Sequence, residues 1–457
     1  MDETIAAIVQ EFSLDAYRPI VARELDLGPV PEPRAGNLVT VVMGMRRSGK
    51  SYRLFQQMDA LLAAGVSEER ICYFNFEDTR LGQVTPATGD AVLETFLYLH
   101  PGLESSQGVY LFFDELQQMQ GWGAWLRRIV DTWRATIYVT GSSSKMLSSE
   151  IATEFRGRAL DFELFPYSFR EVVAQNAELD PLMDAEVFSA AQQAQLAGAF
   201  RAYLQDGGFP AAQGLPRPQA NALLQGYVQR VVSRDVVERL DLARPLVAAT
   251  CAQRILAMNG RQLSVRKMEN DLRSVGLTSG RGYLAELVDA FESAFLVFRV
   301  REFSRSLSSN TTAQPKVYAV DPGLALANSP AAVNDEGQRL EGAVYVELRR
   351  RLPGSRMGAV SSLRTKAHGH EVDFVCADAA LGQVNCLVQV TWSMDGAKTA
   401  ERELRALAEA LDETGIDEAL LLVGSGEART YERDGKRIVQ KPAWQWMLGS
   451  ASGQDIV

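Results

Sequence analysis

Short apolar runs alternate with helical patterns between residues 36 and 172. Five β-branched or aromatic runs predict strands: NLVTVVMG, RICYFNFED, VYLFFDEL, ATIYVTGS and ALDFELFPYS. Apolar positions at helical spacing predict helices in SYRLFQQMDALLAAG, GWGAWLRRIVDTW and KMLSSEIATEF. Strands that alternate with helices are typical of a parallel sheet with helices on both faces. The pattern predicts an α/β core over residues 36–172, preceded by a segment 1–35 with one short helix.

The pattern changes after this core. Residues 173–248 have helical periodicity almost throughout, and residues 249–312 predict a helix, a turn, a second helix and a strand. Alternation returns over residues 313–457, in runs such as KVYAVDPGLA, LEGAVYVELRRRL, HEVDFVCAD and NCLVQVTWS. The chain is therefore α/β at both ends and helical in the middle.

Composition and charge limit the class of protein. The 457 residues are 46% hydrophobic and 23% charged, which excludes disorder along the whole chain and allows about three domains. We find no apolar stretch of membrane-spanning length, no secretory signal and no CxxC pair among the four cysteines, as expected of a cytoplasmic protein without membrane contact. The net charge of −10 predicts that any contact with nucleic acid is local.

A phosphate-binding motif follows the first predicted strand. Residues Gly44 to Ser51, GMRRSGKS, fit GxxxxGK[ST] between a strand and a helix. In such loops the backbone N–H groups surround phosphates, the lysine contacts the β- and γ-phosphates, and the serine hydroxyl binds Mg²⁺. We therefore expect ATP and Mg²⁺ as cofactors. The expected nucleotide contacts are Gly44, Arg46, Arg47, Ser48, Gly49, Lys50, Ser51 and Tyr52.

Two acids end the third predicted strand, VYLFFDE. Ligands bind at the carboxyl ends of strands in open parallel sheets. Asp114 is therefore predicted to hold Mg²⁺, and Glu115 to deprotonate the attacking water. Alone, such a pair would favour a solvated acidic turn; after a phosphate-binding loop it favours hydrolysis.

Two weaker signals follow the fourth strand. Ser142 or Ser143 could contact the γ-phosphate or the water, or simply form a Ser-rich turn and helix cap. Arg156 or Arg158 could reach a nucleotide on a neighbouring subunit, although a solvated basic turn is the simpler interpretation.

The ordered set GMRRSGKS, LFFDEL, VTGSSSKML, FRGRALDFELFPYSFREV, GGFP, SRDVVER, KVYAVDPGLA, LEGAVYVEL and EVDFV resembles the AAA+-type prokaryotic P-loop ATPases that carry a C-terminal domain of unknown function. The resemblance implies an AAA+ core at 36–172, a helical lid at 173–248, a winged helix at 249–312 and a restriction-endonuclease-like domain at 313–457. It also implies homo-oligomers, hexamers or open rings, in which a trans-acting arginine completes each site.

Carried over by position, the resemblance makes Ser142 or Ser143 the sensor and Arg158 the trans-acting arginine, with Arg156 as its rival. A lid arginine, Arg230 or Arg234, is expected to contact the γ-phosphate.

The predicted winged helix is locally basic. Nine bases against six acids give residues 251–310 a charge of +3 within a chain of −10. A basic module suits phosphate contacts, so we expect a DNA substrate, although winged helices also serve only for packing or protein contact. The rival interpretations are an ATPase that remodels proteins and a nucleotide-dependent signalling switch.

The endonuclease-like domain lacks parts of its chemistry. Glu341 or Glu347 could be the helical acid and Asp373 the strand acid, but Gln389 and Thr391 stand where glutamate and lysine are needed. We therefore expect no DNA cleavage. His368 and His370 beside Glu371 and Asp373 fit a transition-metal site, but a basic loop before a strand is the simpler interpretation.

Overall fold

A computed structural model of the chain describes residues 2–103, 108–142, 157–185, 187–238, 244–303, 314–329, 335–352, 360–377, 382–433 and 435–449. The chain divides into two compact units, residues 1–164 and 165–457. The first unit holds one parallel sheet. The second holds a helical region and two further sheets.

The first unit has five strands: β1 (Val39–Met43), β2 (Ile71–Asn75), β3 (Val109–Asp114), β4 (Ala135–Gly141) and β5 (Ala159–Glu163). Its helices are α1 (Glu3–Glu11), α2 (Lys50–Ala63), α3 (Pro86–Leu99) and α4 (Trp122–Thr132). All pairings are parallel, in the order β2-β3-β4-β1-β5. This confirms the predicted α/β core. The helix predicted in KMLSSEIATEF lies outside the described residues.

Burial explains why these segments become strands. Every residue of β1, β3 and β4 is buried, which suits the continuous apolar runs of a sheet covered on both faces. Leu54, Phe55 and Met58 of α2 pack with Val42 and Phe112 in one core cluster. The sheet order places β4 between β1 and β3, so the carboxyl ends of these three strands lie side by side.

The helical part of the second unit confirms the predicted helical region. Its helices are α5 (Phe169–Ala174), α6 (Ala190–Asp206), α7 (Arg217–Arg230), a π-helix (Val231–Glu238), α8 (Pro245–Leu256), α9 (Val265–Ser274) and α10 (Arg281–Ser293). A small antiparallel sheet of β6 (Arg261–Gln262), β8 (Lys316–Ala319) and β7 (Val297–Val300) accompanies α8 to α10, as in a winged helix. The sheet extends past the predicted boundary at residue 312, because β8 pairs with both β6 and β7.

The C-terminal part is a mixed sheet. Its strands are β9 (Val360–Arg364), β10 (Glu371–Ala377), β11 (Val384–Thr391), β12 (Glu418–Val423), β13 (Arg429–Arg433) and β14 (Lys436–Pro442). They lie in the order β13-β14-β12-β11-β10-β9. Its helices are α11 (Pro322–Asn328), α12 (Glu336–Arg351), α13 (Ala397–Thr414) and α14 (Ala443–Leu448). Leu404, Leu407 and Leu411 recur at helical spacing on α13 and pack against the sheet.

Candidate nucleotide site

The loop after β1 has the backbone of a phosphate cradle. Gly49 has a φ of 101° and begins α2, and Arg47 also adopts a positive φ of 69°. A Cβ atom on Gly44 would lie 2.1 Å from the carbonyl oxygen of Leu164, so only glycine fits this close approach. Helix α2 therefore begins directly after a compact loop, and the N–H groups and dipole at its N-terminus favour the binding of an anion there.

Lys50 is buried within this loop. Its Nζ donates to the carbonyl oxygens of Gly44 at 3.2 Å and Met45 at 3.4 Å, and it lies 3.2 Å from Oε1 of Glu115. An ammonium held by backbone carbonyls can exchange these weak acceptors for phosphate oxygens without leaving the loop. Lys50 is thus positioned as the sequence predicts for a phosphate ligand.

Asp114 is the centre of a hydrogen-bond network at the end of β3. Its carboxylate accepts from the Ser51 hydroxyl at 2.5 Å, from the Tyr73 hydroxyl at 2.9 Å and from the Thr140 hydroxyl. Burial, then the charge of Glu115, raises the pKa of Asp114 despite these donors. A divalent cation beside Asp114 and Ser51 would favour the ionised carboxylate, and both side chains supply the oxygen ligands that Mg²⁺ takes.

Glu115 has a different environment although it is the next residue. Burial raises the pKa of Glu115, but the charges of Lys50 and Arg46 and a hydrogen bond from Gln117 outweigh burial and lower it. Its backbone has a positive φ of 50°, which is rare outside glycine and is found at functional sites, and its N–H donates to Thr140 Oγ1 at 2.9 Å. The side chain is therefore held as a carboxylate next to the loop lysine.

An unpaired hydroxyl supports the fit of a nucleotide to this loop. The Ser48 Oγ atom is buried and has no hydrogen-bond partner in the described part of the chain. A Cβ on Gly44 would lie 3.1 Å from it, so the hydroxyl belongs to the inside of the loop. A buried unpaired donor costs about 1–3 kcal/mol, which a bound phosphate oxygen would recover. The residues present therefore fit ATP, with Ser51 and Asp114 placed to hold Mg²⁺.

Other predicted nucleotide contacts lie at the edge of the loop. Arg46 forms an ion pair with Glu77, and Arg47 and Tyr52 are exposed. Tyr52 lies edge-on to Tyr17, with ring centroids 6.2 Å apart. The Ser142 hydroxyl is buried and accepts from Gln117 Nε2 at 3.1 Å, whereas Ser143 lies outside the described residues.

Of the two candidate trans-acting arginines, the structure describes only one. Arg156 lies outside the described residues. Arg158 directly precedes β5, whose first residue pairs with Val39 at the start of β1, and its guanidinium forms an ion pair with Asp131. The phosphate-binding loop follows the other end of β1, about 16 Å away at the rise of a strand. Arg158 is therefore remote from the loop of its own subunit.

The arginines of the predicted lid belong to the second unit. Arg230 ends α7, and Arg234 lies in the π-helix that follows. Both are exposed. Short π-helical segments are rare and often occur at functional sites.

Three residues of this network were not among the predicted site residues. Tyr73 and Thr140 each bind Asp114, and Gln117 connects Glu115 to Ser142. The sequence carried a partial signal for two of them, because Thr140 lies near the end of β4 and Gln117 follows the predicted acids at the end of β3. Tyr73 carried none, because an aromatic residue within an apolar strand predicts only packing.

A second cluster of charges lies at the predicted endonuclease-like part, where β8 approaches the mixed sheet. The Lys316 ammonium of β8 contacts Glu371 at 2.6 Å, Glu341 at 3.0 Å and Asp373 at 3.2 Å. The Tyr318 hydroxyl donates to the same Glu341 oxygen at 2.6 Å. Burial, then Glu341, raises the pKa of Asp373 to about 8, although Lys316 lowers it. The structure thus supplies a lysine to the predicted acids from a strand 57 residues upstream of Asp373.

The remaining residues predicted for an endonuclease site contact other partners. Gln389 accepts from the backbone N–H of Asp373 at 3.1 Å and donates to Glu403 at 2.7 Å. Glu347, the alternative helical acid, pairs with Arg350 and Arg351 instead. Thr391 donates only a long 3.4 Å bond to the Ser393 carbonyl oxygen.

The basic charge of the winged helix is largely paired within the fold. Arg254, Arg273, Arg281 and Arg299 each contact an acid of the same segment, and Arg261 contacts Asp335. Arg305 lies outside the described residues. Among the described residues, the cations of this segment that have no acidic partner are Arg266, Lys267 and Arg301, all exposed.

Comparisons with known proteins agree with the architecture. Residues 36–173 match a family described as an AAA domain, and residues 197–334 match a family described as a domain of unknown function (DUF8612). The chain therefore carries an AAA-type P-loop domain followed by a domain of unknown function.

The similar proteins found are mainly distant. An uncharacterized protein of Methanocaldococcus jannaschii is 27% identical over 96% of this chain and 94% of its own, and one of Haemophilus influenzae is 25% identical over 79% and 85%. Among solved structures, a Walker-type ATPase of Pyrococcus abyssi is similar at a TM-score of 0.42 and 14% identity, covering 64% of this chain and 90% of its own. The ORC1 protein of Aeropyrum pernix in complex with DNA has a TM-score of 0.30 at 15% identity, covering 72% and 93%.

Within the described residues, we find no helix that is both long and apolar enough to cross a bilayer.

Proposed function

We propose that the first unit binds ATP with Mg²⁺ and hydrolyses it to ADP and phosphate. The observation that carries the proposal is the contact of two motifs 63 residues apart: Ser51 donates to Asp114, and Lys50 lies beside Glu115. Phosphate, metal and water ligands thereby converge at the carboxyl ends of β1 and β3.

Each residue has a distinct part in this reaction. Lys50 binds the β- and γ-phosphates in place of the carbonyl oxygens it now contacts. Ser51 and Asp114 hold the Mg²⁺, which neutralises charge on the phosphates when bound. Glu115 is kept ionised by Lys50 and Arg46, so it can accept a proton from water. Gln117 donates to both Glu115 and Ser142, and it positions the base or the water together with Ser142.

Nucleotide binding is tested by Lys50→Ala. Titration with a fluorescent ATP analogue should give a dissociation constant at least about tenfold weaker than wild type, because a charge-assisted phosphate contact is lost. Phosphate release should fall with it. Glu94→Gln, an exposed change on α3, is the matched control. Equal binding by wild type and Lys50→Ala would overturn the assignment of the loop.

The position of Arg158 supports action between subunits. Because Arg158 is remote from its own loop, the phosphate charge that it would stabilise belongs to the nucleotide of a neighbouring copy. This arrangement implies a homo-oligomer, either a hexamer or an open ring. Arg156 remains its rival, and Arg230 or Arg234 remains the expected lid arginine. Mass photometry with a non-hydrolysable ATP analogue should show closed or open rings; monomers at every nucleotide state would contradict this.

We further propose that hydrolysis acts on DNA, through the unpaired cations of the winged helix. Arg266 and Lys267 lie in the first turn of α9, and Arg301 follows β7. The ATPase rate should rise with duplex, forked or four-way DNA, and the stimulation should fall steeply with salt. Arg266→Ala with Lys267→Ala should reduce it, while Arg273→Ala, already paired with Glu269, should not.

The rival is an ATPase that remodels proteins or acts as a regulatory switch. The ion pairs that neutralise five arginines around the winged helix favour it, because a neutralised surface attracts phosphate weakly. Indifference of the ATPase rate to every nucleic acid at low salt would select this rival.

The endonuclease-like part is proposed to be inactive. Lys316 places an ammonium among the three carboxylates, where a nuclease needs a metal ion, and Gln389 is a neutral amide. Plasmid incubated with Mg²⁺ should remain supercoiled. Nicking that is lost in Asp373→Ala would show that the cluster is catalytic.

A further inference from the structure

Two of the three histidines of the chain contact the same carboxylate in the second unit. His368 and His370 lie in the turn between β9 and β10, and Glu409 lies on α13. The distance from His368 Nδ1 to Glu409 Oε2 is 3.2 Å, and that from His370 Nε2 to the same oxygen is 3.5 Å. The acids next to the histidines in sequence, Glu371 and Asp373, contact Lys316 instead.

The spacing of these atoms fits a small metal ion. Zinc binds histidine nitrogen and carboxylate oxygen at about 2.0–2.2 Å, so two ligand atoms on a tetrahedron lie about 3.3–3.5 Å apart. The two nitrogen-to-oxygen distances agree with this edge, and all three ligand atoms lie within 4.8 Å of one another. A cation can therefore enter with only a small movement of the exposed His368 ring.

The surrounding hydrogen bonds hold the ligands in place. The His368 backbone N–H donates to Glu409 Oε1 at 2.9 Å, which leaves Oε2 facing both rings. The Thr365 hydroxyl accepts from the His370 N–H at 2.8 Å, and Gly369, with a φ of 70°, allows the turn between the two histidines. Such secondary contacts orient metal ligands and raise affinity.

Charge and access also suit a divalent transition ion. The side chain of His368 is 73% exposed and that of Glu409 is 14% exposed, so the site opens to solvent on one side and is backed by protein on the other. Imidazole and carboxylate ligands favour Zn²⁺ over Mg²⁺ or Ca²⁺, which prefer oxygen alone. Three protein ligands leave a fourth position for water.

We propose that His368, His370 and Glu409 form a binding site for one Zn²⁺ ion, which joins the β9–β10 turn to α13. All three ligands belong to the second unit, whereas the phosphate-binding loop belongs to the first. The alternative is a proton-mediated contact, in which each ring donates an N–H to the carboxylate and no metal binds.

The test is a metal titration of the full chain after treatment with a chelator. Zn²⁺ should bind at one equivalent and raise the melting temperature, because it stabilises the folded state alone. Co²⁺ in its place should give visible absorption bands typical of a four-coordinate site. His370→Ala and Glu409→Gln should each weaken Zn²⁺ binding by about tenfold or more and lose the Co²⁺ bands.

Matched controls separate the site from other ligands. His100→Ala removes the remaining histidine, which lies in the first unit, and should leave binding unchanged. Glu413→Gln changes an acid one helical turn along α13 that contacts the backbone of the β9–β10 turn and is not part of the group of His368, His370 and Glu409. This variant should also bind Zn²⁺ as wild type. Far-UV circular dichroism establishes that each variant is folded. No Zn²⁺ binding by the wild type, or equal binding by Glu409→Gln and Glu413→Gln, would overturn the proposal.

Discussion

At the scale of single residues, the nucleotide site depends on one buried hydroxyl between two acids. Thr140 donates to Asp114 and accepts from the backbone N–H of Glu115 at 2.9 Å. It thereby fixes the proposed metal ligand relative to the proposed base. The two adjacent acids differ in their surroundings: burial raises the pKa of Asp114, whereas Lys50 and Arg46 outweigh burial and lower the pKa of Glu115.

Thr140→Val should therefore impair catalysis more than folding. It leaves the Glu115 N–H buried without a partner, which should cost about 1–3 kcal/mol in the free energy of unfolding. The loosened geometry should lower kcat about 10- to 100-fold. Thr136→Val on the same strand loses bonds to Pro31 and Asn37 and should cost similar stability with an unchanged kcat. Equal kcat values for the two variants would show that Thr140 has no positioning role.

At the scale of elements, the sequence predicted the five strands of the first sheet because each is a continuous apolar run with a turn after it. It did not predict α3, although Thr85 and Pro86 carry the usual start signal of a helix. The sequence did not predict the contact of Lys316 with Asp373. These residues are 57 positions apart, and their contact depends on the packing of β8 and β10 rather than on any local pattern. For the same reason Glu409 was not found as the partner of His368.

The burial of Asp373 beside Glu341 should make stability depend on pH, although the Lys316 contact opposes the effect. The pKa of Asp373 is raised to about 8, so the folded state binds a proton that the unfolded state releases above about pH 4. The free energy of unfolding contributed by this group is therefore highest below that pH and falls as the pH rises to about 8.

Asp373→Asn should flatten this part of the pH profile, because asparagine does not titrate. Urea unfolding between pH 5 and 9 measures the profile, and Asp412→Asn, an exposed change on α13, should retain the wild-type slope. A slope in Asp373→Asn equal to that of the wild type would show that this carboxyl group is not the source.

At the scale of the whole molecule, charge is distributed unevenly but is mostly compensated locally. In a chain of net charge −10, ion pairs neutralise most arginines of the predicted winged helix, so the proposed DNA contact belongs to Arg266, Lys267 and Arg301. Arg158 lies beside the start of β1, whereas the loop follows the other end of that strand, and on this separation rests the proposal that Arg158 acts between copies.

Mixing two inactive variants should restore activity if Arg158 acts between subunits. Arg158→Ala retains Glu115, and Glu115→Gln retains Arg158. A site is therefore complete where an Arg158→Ala subunit binds the nucleotide and a Glu115→Gln neighbour supplies the arginine. An equal mixture should recover about one quarter of the wild-type rate by random assembly, while each variant alone stays inactive. Arg127→Ala, which changes a half-buried arginine of α4, should be active by itself. No recovery in mixtures that form mixed oligomers would contradict a trans role.

The central claim is that Asp114 and Glu115 serve ATP hydrolysis at the loop of Lys50. The most direct measurement compares ATP binding and phosphate release in Glu115→Gln and wild type under the same Mg²⁺ concentration. Glutamine has the size of glutamate but cannot accept a proton. The dissociation constant for ATP should therefore stay within about twofold of the wild type, while the single-turnover rate of phosphate release falls about 10²- to 10⁴-fold. An unchanged rate in Glu115→Gln would contradict the account.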